Sequence, residues 1–348
     1  MDLLKFIAMF YVVITHVVQK VISGGASTLF FNILYTAHMP LFMFVSGYFI
    51  KRSDKFYDLI KYIFKMFMYY IVPSIVFTLI TVISLPRYNN HDVLYWFKEF
   101  FLRTDSFYWY GIVALIINSL LAISYFISIK ILKIKDFKSN LYQVLITLGI
   151  MGVLMLPIIF VQQSEYKAVL SINLLVRYIP LVILGYLFKE FGKYIKTDNK
   201  LLIFESIAII PLFIVYYYIL NKYRVIYAYS DVKMLVHMQI MELCIVFIYY
   251  VLSKWLCKLT FFKDLSKYGK YSYALYLVHV YIIRLITPFV SKVPDLSFNS
   301  ISFIICYTLI FAIGSLFITI WLTKNRYINL LLFGDYKPFI SKKLQKNN

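Results

Sequence analysis

Charged residues are scarce in this chain, and acidic ones are the scarcest. Only 15% of the 348 residues are charged, with 16 Asp or Glu against 36 Lys or Arg, and three are cysteines. A soluble domain has roughly 25% charged and roughly 45–50% apolar residues, whereas 62% of this chain is hydrophobic. The composition excludes an ordinary cytosolic enzyme, a disordered chain and a disulfide scaffold, and it indicates a protein surrounded mostly by lipid.

Several catalytic signatures are also missing. The sequence has no phosphate-binding glycine loop, no Gly-x-Ser-x-Gly elbow, no His-Glu-x-x-His helix and no Cys/His cluster, which argues against a nucleotide hydrolase or a membrane metalloprotease. The three cysteines show no pairing or ligand spacing, so we expect no metal. The first apolar segment lacks a small-residue cleavage site, which argues against a cleavable signal peptide.

Apolar stretches long enough to cross a bilayer, about 20 residues each as helix, recur along the whole chain. In lipid, a helix satisfies the hydrogen bonds of all the backbone N–H and C=O groups within such a stretch. We therefore predict an all-α polytopic membrane protein with about ten transmembrane helices. The predicted spans are 3–22, 29–50, 66–86, 107–129, 141–162, 169–188, 201–220, 235–253, 271–290 and 299–323. They form one membrane domain, 1–323, followed by a basic tail, 324–348.

The connections between these spans alternate in positive charge. The basic set holds 24 Lys and Arg residues in the runs 51–65, 130–138, 189–200, 254–270 and 324–348. The alternate set holds 8, in the runs 87–105, 163–168, 221–234 and 291–298. Because Lys- and Arg-rich loops stay in the cytoplasm, this bias predicts that both termini are cytoplasmic. The net charge of +20 is then a topology signal, and we expect no nucleic-acid partner.

Lys5 and His16 form the most informative pair of polar residues within a span. Ten residues separate them, which places both on one face of the first helix, about 16 Å apart along its axis. Lys5 lies at the cytoplasmic mouth, where Asp2 can pair with it. This face offers a cation for a phosphate-like group and, further in, an imidazole as general base. The alternative is that Lys5 snorkels to the interface and His16 bonds a neighbouring helix.

Three further predicted spans carry polar residues well inside the bilayer. His38 precedes Pro40, which frees a backbone carbonyl, and Ser46 follows in the same span. Glu242 and His279 lie near the middle of their spans. Each of these side chains has two possible roles. One is catalysis or substrate contact, and the other is a structural hydrogen bond between helices.

Aromatic residues mark the outer end of the fourth span. Asp105, Tyr108 and Trp109 lie together there. Their rings could stack on the apolar face of a sugar. They could equally belong to the aromatic belt that membrane proteins place at the interface.

Two motifs resemble the membrane acyltransferase type 3 family. The stretch from Asp2 to His16 is similar to the family's opening, and the stretch from His38 to Phe49 is similar to its second-helix signature. The segment around Trp109 and the stretch ending at His279 are similar to later landmarks. The resemblance covers most of the chain. It implies transfer of an acyl group, usually acetyl from acetyl-CoA, to a hydroxyl of a cell-surface polysaccharide or its lipid-linked precursor.

The resemblance also implies site residues. The family's Arg/Lys-x10-His motif maps onto Lys5 and His16, with the basic residue serving donor binding or helix structure and the histidine serving catalysis. Where the family often has Arg-x-x-Arg before a proline in the third span, this chain departs from the pattern with Lys61 and Lys65 before Pro73. The resulting candidates are His16, Lys5 and His38 for catalysis, Asp2, Ser46, Trp109, Glu242 and His279 for substrate contact, and Lys5, Lys61 and Lys65 for the donor.

The expected partners follow from that assignment. They are acyl-CoA on the cytoplasmic side, a glycan acceptor, the lipid bilayer of a bacterial cell, and glycan-synthesis machinery. A second hypothesis is a non-enzymatic glycan exporter, because Glu242, Arg177 and Arg284 place charge within spans. A third is a structural partner of a synthase complex, with no activity alone.

Overall fold

The computed structural model describes residues 1–85, 91–102, 108–131, 137–162, 169–194, 199–222, 232–286, 288 and 298–334. The structure is 92% helical, and its described part contains no strand, which confirms the all-α prediction. The helices α1 to α13 are Asp2–Val21, Leu29–Tyr48, Phe56–Ser84, Val93–Leu102, Trp109–Ile131, Phe137–Gln162, Ile172–Gly192, Asn199–Lys222, Val232–Leu256, Thr260–Ser266, Ser272–Ile286, Phe298–Lys324 and Arg326–Phe333. Two described 3-10 turns are Gly25–Ser27 and Lys267–Tyr271.

Nine of the described helices are long and apolar enough to cross a membrane. They overlap nine of the ten predicted spans. The remaining one, 271–290, holds α11, which runs for 15 residues and is followed by residues that lie mostly outside the described part. The chain is thus an all-α polytopic membrane protein. Its orientation stays a prediction, and the end predicted to face the cytoplasm is called the inner end below.

Helices also occupy stretches where the sequence predicted only connections. Helix α3 begins at Phe56, ten residues before the predicted span, and α4, α10 and α13 lie wholly in predicted connections or in the tail. Local signals explain two of these differences. Asp58 lies in the first turn of α3, where a carboxylate stabilises the positive end of the helix dipole. The Asn325 side chain caps α13 by accepting hydrogen bonds from two backbone amides of its first turn.

The chain divides into two compact units. Unit 1 comprises Met1–Val45 and Ile183–Trp321, and unit 2 comprises Ser46–Val182 and Leu322–Asn348. In unit 1, α1 packs against α9, α10, α11 and the 3-10 turn that precedes α11, while α8 packs along α9. In unit 2, α3 packs against α4, α5 and α13, and α5 packs along α6.

A buried hydroxyl and amide network joins α5 to α6 in unit 2. The Ser128 hydroxyl donates to the Tyr125 carbonyl at 2.8 Å and lies 2.8 Å from the Thr147 hydroxyl. Ser128 Oγ also accepts a hydrogen bond from the Gln143 side-chain amide. All three polar side chains of the network are fully buried. These hydrogen bonds join buried side chains of the two helices and so stabilise their packing.

Replacing Ser128 by alanine is expected to destabilise unit 2 by about 0.6–2 kcal/mol, the range for hydrogen bonds between membrane helices. The loss would appear as a lower unfolding temperature of the protein in detergent. Ser124→Ala is the matched control, because Ser124 is equally buried one turn earlier on α5 but its hydroxyl donates to the Leu120 carbonyl of its own helix. An equal loss in both variants would contradict a role for the network between the helices.

Candidate functional site

Helix α1 carries Asp2, Lys5 and His16 on one face. Lys5 Nζ contacts Asp2 Oδ1 at 2.9 Å, as the spacing predicted, and the Lys5 side chain is 22% exposed. His16 lies fourteen residues after Asp2 on the same uninterrupted helix, so about 21 Å of rise separates them. The His16 side chain is partly exposed, and its Nδ1 lies 3.3 Å from Gln19 Oε1 on the next turn.

His279 of α11 lies directly against His16. Their ring centroids are 5.5 Å apart and their planes are inclined by 37°. His279 is fully buried, and its Nδ1 lies 3.0 Å from the Leu275 carbonyl. A carbonyl can only accept, so Nδ1 carries the proton and the lone pair of the neutral ring lies on Nε2. That Nε2 has no hydrogen-bond partner among the described residues.

His38 of α2 belongs to the same unit and to the same electrostatic neighbourhood. Its Nδ1 donates to the Leu34 carbonyl at 3.0 Å, its side chain is 4% exposed, and the Tyr35 ring packs edge-on at 5.2 Å. His38 lies close enough to His279 for the two to interact electrostatically. Three of the histidines that the sequence singled out therefore gather in unit 1, from α1, α2 and α11.

A lysine-bearing segment packs against the beginning of α1. Gly269, in the 3-10 turn before α11, lies so close to α1 that an added Cβ would be 2.1 Å from the Asp2 carbonyl oxygen. Helix α10, which precedes this turn, also packs against α1. Both elements belong to the basic segment 254–270. Its exposed lysines include Lys258, Lys263, Lys267 and Lys270. Lys267 Nζ contacts Asp264 Oδ1 at 2.7 Å, and this pairing raises the pKa of Lys267 and lowers that of Asp264.

Two predicted substrate residues lie in unit 2. Ser46 Oγ accepts a hydrogen bond from Asn118 Nδ2 at 3.3 Å. Trp109 stacks on Tyr178 with centroids 5.7 Å apart and planes within 8°, and the buried Arg177 guanidinium lies 5.2 Å from the same Tyr178 ring. The sugar platform and the interfacial belt both stay predictions for Trp109. Asp105, which the sequence grouped with Trp109, lies outside the described residues.

The remaining predicted residues occupy separate positions. Glu242 is fully buried in α9 of unit 1. Lys61 and Lys65 are exposed on the first turns of α3 in unit 2, with Lys61 Nζ 5.9 Å from the Tyr57 ring centre. Within the described part of the chain, no group of three His, Cys, Asp or Glu side chains is arranged to hold a metal ion. The roles of these side chains stay predictions.

Sequence reasoning did not predict that two side chains, Gln19 and Arg284, lie near the imidazole pair, although it had named Arg284 as a charge within a span. Gln19 is the hydrogen-bond partner of His16, and Arg284 of α11 lies close enough to His16 to act on it electrostatically. Gln19 follows His16 by three residues, so helical spacing alone could have identified it. Arg284 required knowledge that α1 and α11 are neighbours, which no pattern within either helix contains.

Comparison with known proteins gives one finding, which agrees with the features described above. No curated protein and no solved structure matches the chain. A family model described as an acyltransferase domain matches residues 1–322, which is nearly the whole chain. The chain therefore belongs to the membrane acyltransferase type 3 family, whose members are acyltransferases.

Proposed function

We propose that this multi-pass protein of the bacterial cell membrane transfers an acetyl group from acetyl-CoA to a hydroxyl of a cell-surface polysaccharide or its lipid-linked precursor. One observation carries the proposal. An imidazole pair, His16 and His279, lies within unit 1 about 20 Å along α1 from a lysine-rich end. Acyl transfer from a polyanionic thioester needs both a cationic binding surface and a base at a distance from it.

His16 is suited to act as the base. It lies where α1 is partly exposed, so an acceptor hydroxyl has access to it. A neutral imidazole that removes the hydroxyl proton during attack accelerates such reactions by about 10²–10⁴. The Gln19 amide beside His16 offers a donor for the oxygen that becomes negative in the tetrahedral intermediate, and Arg284 adds positive charge in the same neighbourhood.

The donor's phosphates fit the inner end of α1. Lys263 of α10 and Lys267 and Lys270 of the following 3-10 turn are exposed, and both elements pack against α1. Together with Lys5 we call them the inner lysine surface. A point charge such as an ammonium group binds phosphate without a fixed geometry. The pantetheine arm of the coenzyme would then extend along α1 and α11 towards the imidazoles. Lys61 and Lys65 of unit 2 stay alternative donor contacts.

Replacing Lys5 by glutamine is expected to raise the KM for acetyl-CoA roughly tenfold and leave kcat nearly unchanged. A hydrogen bond to a charged group contributes about 1.5–3 kcal/mol, and about 1.4 kcal/mol corresponds to a factor of ten. Initial rates at varied acetyl-CoA concentration measure the effect. Lys98→Gln, on α4 of unit 2 and exposed, is the charge-matched control. An unchanged KM in the Lys5 variant would exclude Lys5 from the donor site.

Transport and transfer are distinguished in proteoliposomes. Purified protein is reconstituted with a polysaccharide acceptor on one side and acetyl-labelled acetyl-CoA on the other. The proposal predicts labelled ester on the acceptor and free CoA in equal amounts. Movement of the polysaccharide that needs no acetyl-CoA, with no ester formed, would favour the exporter hypothesis and reject the enzymatic one. Neither ester nor movement would indicate a structural partner.

A further inference from the structure

The two imidazoles differ in depth, and the Asp2–Gly269 contact allows that depth to be compared. From Asp2, His16 is about 21 Å along α1. From Gly269, His279 is about 16 Å away, counting about 2.0 Å per residue in the 3-10 turn and about 1.5 Å in α11. Ser272, at the junction, has helical dihedrals, so the turn continues directly into α11. Counted from the two contacting residues, His16 is thus about 5 Å farther along its helix than His279.

His279 is therefore the imidazole nearer to the inner lysine surface, and His16 is the one farther from it. A donor that enters from the inner end reaches His279 first. An acceptor that approaches from the opposite side reaches His16 first. This order suggests that the two rings serve different substrates.

We propose that His279 carries the acyl group as an acyl-imidazole intermediate on Nε2 and that His16 acts as the base for the acceptor. The inference rests on the proposed function. It adds a covalent step and a catalytic residue to that function, and it divides the reaction between two rings.

The state of His279 suits a nucleophile. Its Nδ1 proton is held by the Leu275 carbonyl, which leaves the lone pair on Nε2. That nitrogen is buried and has no hydrogen-bond partner among the described residues, so no bond has to be broken before attack. Its site is fully buried, and exclusion of water protects an acyl-imidazole from hydrolysis. His16 is partly exposed and its ring is bound to Gln19, which suits reversible proton transfer better than storage of a labile group.

In the first half of the reaction, Nε2 of His279 attacks the thioester carbonyl carbon. The N–C bond forms, the C–S bond breaks, and the electron pair leaves on sulfur as the CoA thiolate. The acylated ring keeps its Nδ1 proton and is a cation, which the Leu275 carbonyl dipole stabilises.

In the second half, the acceptor oxygen attacks the acyl carbon while His16 removes the hydroxyl proton. The C–N bond breaks and its electron pair returns to Nε2 of His279. His16 then gives its proton to the thiolate. The sum is acyl-CoA plus alcohol giving ester plus CoA, with both imidazoles restored.

Trapping the intermediate tests the inference. The full-length protein in lipid nanodiscs is exposed to acetyl-labelled acetyl-CoA without acceptor, as wild type and as His16→Ala, His279→Asn and His91→Ala. Asparagine at 279 retains a donor for the Leu275 carbonyl but has no ring nitrogen. His91 is an exposed histidine of unit 2 and serves as control. We expect label that neutral hydroxylamine releases in all variants except His279→Asn, and most of it in His16→Ala, approaching one acetyl per chain.

Mass spectrometry of the α11 peptide from His16→Ala locates the label without reliance on the folding of a His279 variant. Acetyl-CoA turnover by wild type with no label in His16→Ala, or with label on another peptide, would overturn the inference while leaving the proposed function intact. Equal labelling of His279→Asn would also overturn it. If wild type neither consumes acetyl-CoA nor becomes labelled, the proposed function fails and this inference fails with it.

Discussion

His16→Ala is expected to lower the rate of acyl transfer to the acceptor by about 10²–10⁴, the usual contribution of a general base. His16 is partly exposed, and its hydrogen bond to Gln19 joins residues of the same helix. Removing the ring breaks no hydrogen bond to another helix, and the unfolding temperature reports the cost of losing its contact with His279. The measurement is ester formation on a polysaccharide acceptor at saturating acetyl-CoA, together with the unfolding temperature of the variant.

The control for this prediction is His91→Ala, which removes an exposed imidazole that packs on the Tyr95 ring at 3.9 Å. It should transfer at the wild-type rate. The affinity for acetyl-CoA should be unchanged in His16→Ala, because the donor is held at the inner lysine surface. A His16→Ala protein that transfers as fast as wild type would exclude His16 as the base.

Gly269→Ala is expected to lower the rate about 10²-fold and to destabilise unit 1 by about 1–3 kcal/mol. The new Cβ would lie 2.1 Å from the Asp2 carbonyl oxygen, which is backbone on both sides, so one helix must move. Overpacking of this kind costs that amount of free energy. A displacement of α11 along α1 also changes the offset of His279 from His16, and a misplacement of about 1 Å can cost about 10²-fold in rate.

Gly314→Ala is the matched control for that substitution. Gly314 lies in α12, also in unit 1, and a Cβ there meets no atom within 4 Å. Alanine favours a helix over glycine by about 1 kcal/mol, so this variant should be as stable as wild type or more stable, with unchanged rate. Unfolding temperature and rate are measured for both proteins. Equal behaviour of the two variants would show that the close contact at Gly269 does not set the register of the site.

The sequence predicted the helical spans well because each is a long apolar run, and lipid makes such a run a helix whatever its neighbours are. It failed for α4, α10, α13 and the beginning of α3. Those helices depend on local capping, as at Asn325, or on packing against a partner helix. Helices α4, α10 and α13 are 10, 7 and 8 residues long, which is below the length of a span.

For the candidate site too, the sequence predicted what lies within one helix and did not predict contacts between helices. The alignment of Lys5 with His16 is a property of one helix and follows from 3.6 residues per turn. The contact of His16 with His279 joins residues 263 positions apart along the chain. It depends on the Asp2–Gly269 contact, which no periodicity encodes. The sequence therefore named both histidines as candidates and did not predict that their rings would touch.

The inner lysine surface has a consequence for any assay in a natural membrane. Anionic lipid headgroups are attracted to cationic residues at the membrane surface by about 1 kcal/mol per residue. The exposed Lys263, Lys267 and Lys270 lie in the segment whose Gly269 contacts Asp2. Phosphatidylglycerol or cardiolipin would then compete with the nucleotide for the same cations. Apparent affinity for the donor would depend on bilayer composition and weaken as added salt shortens the Debye length below about 10 Å.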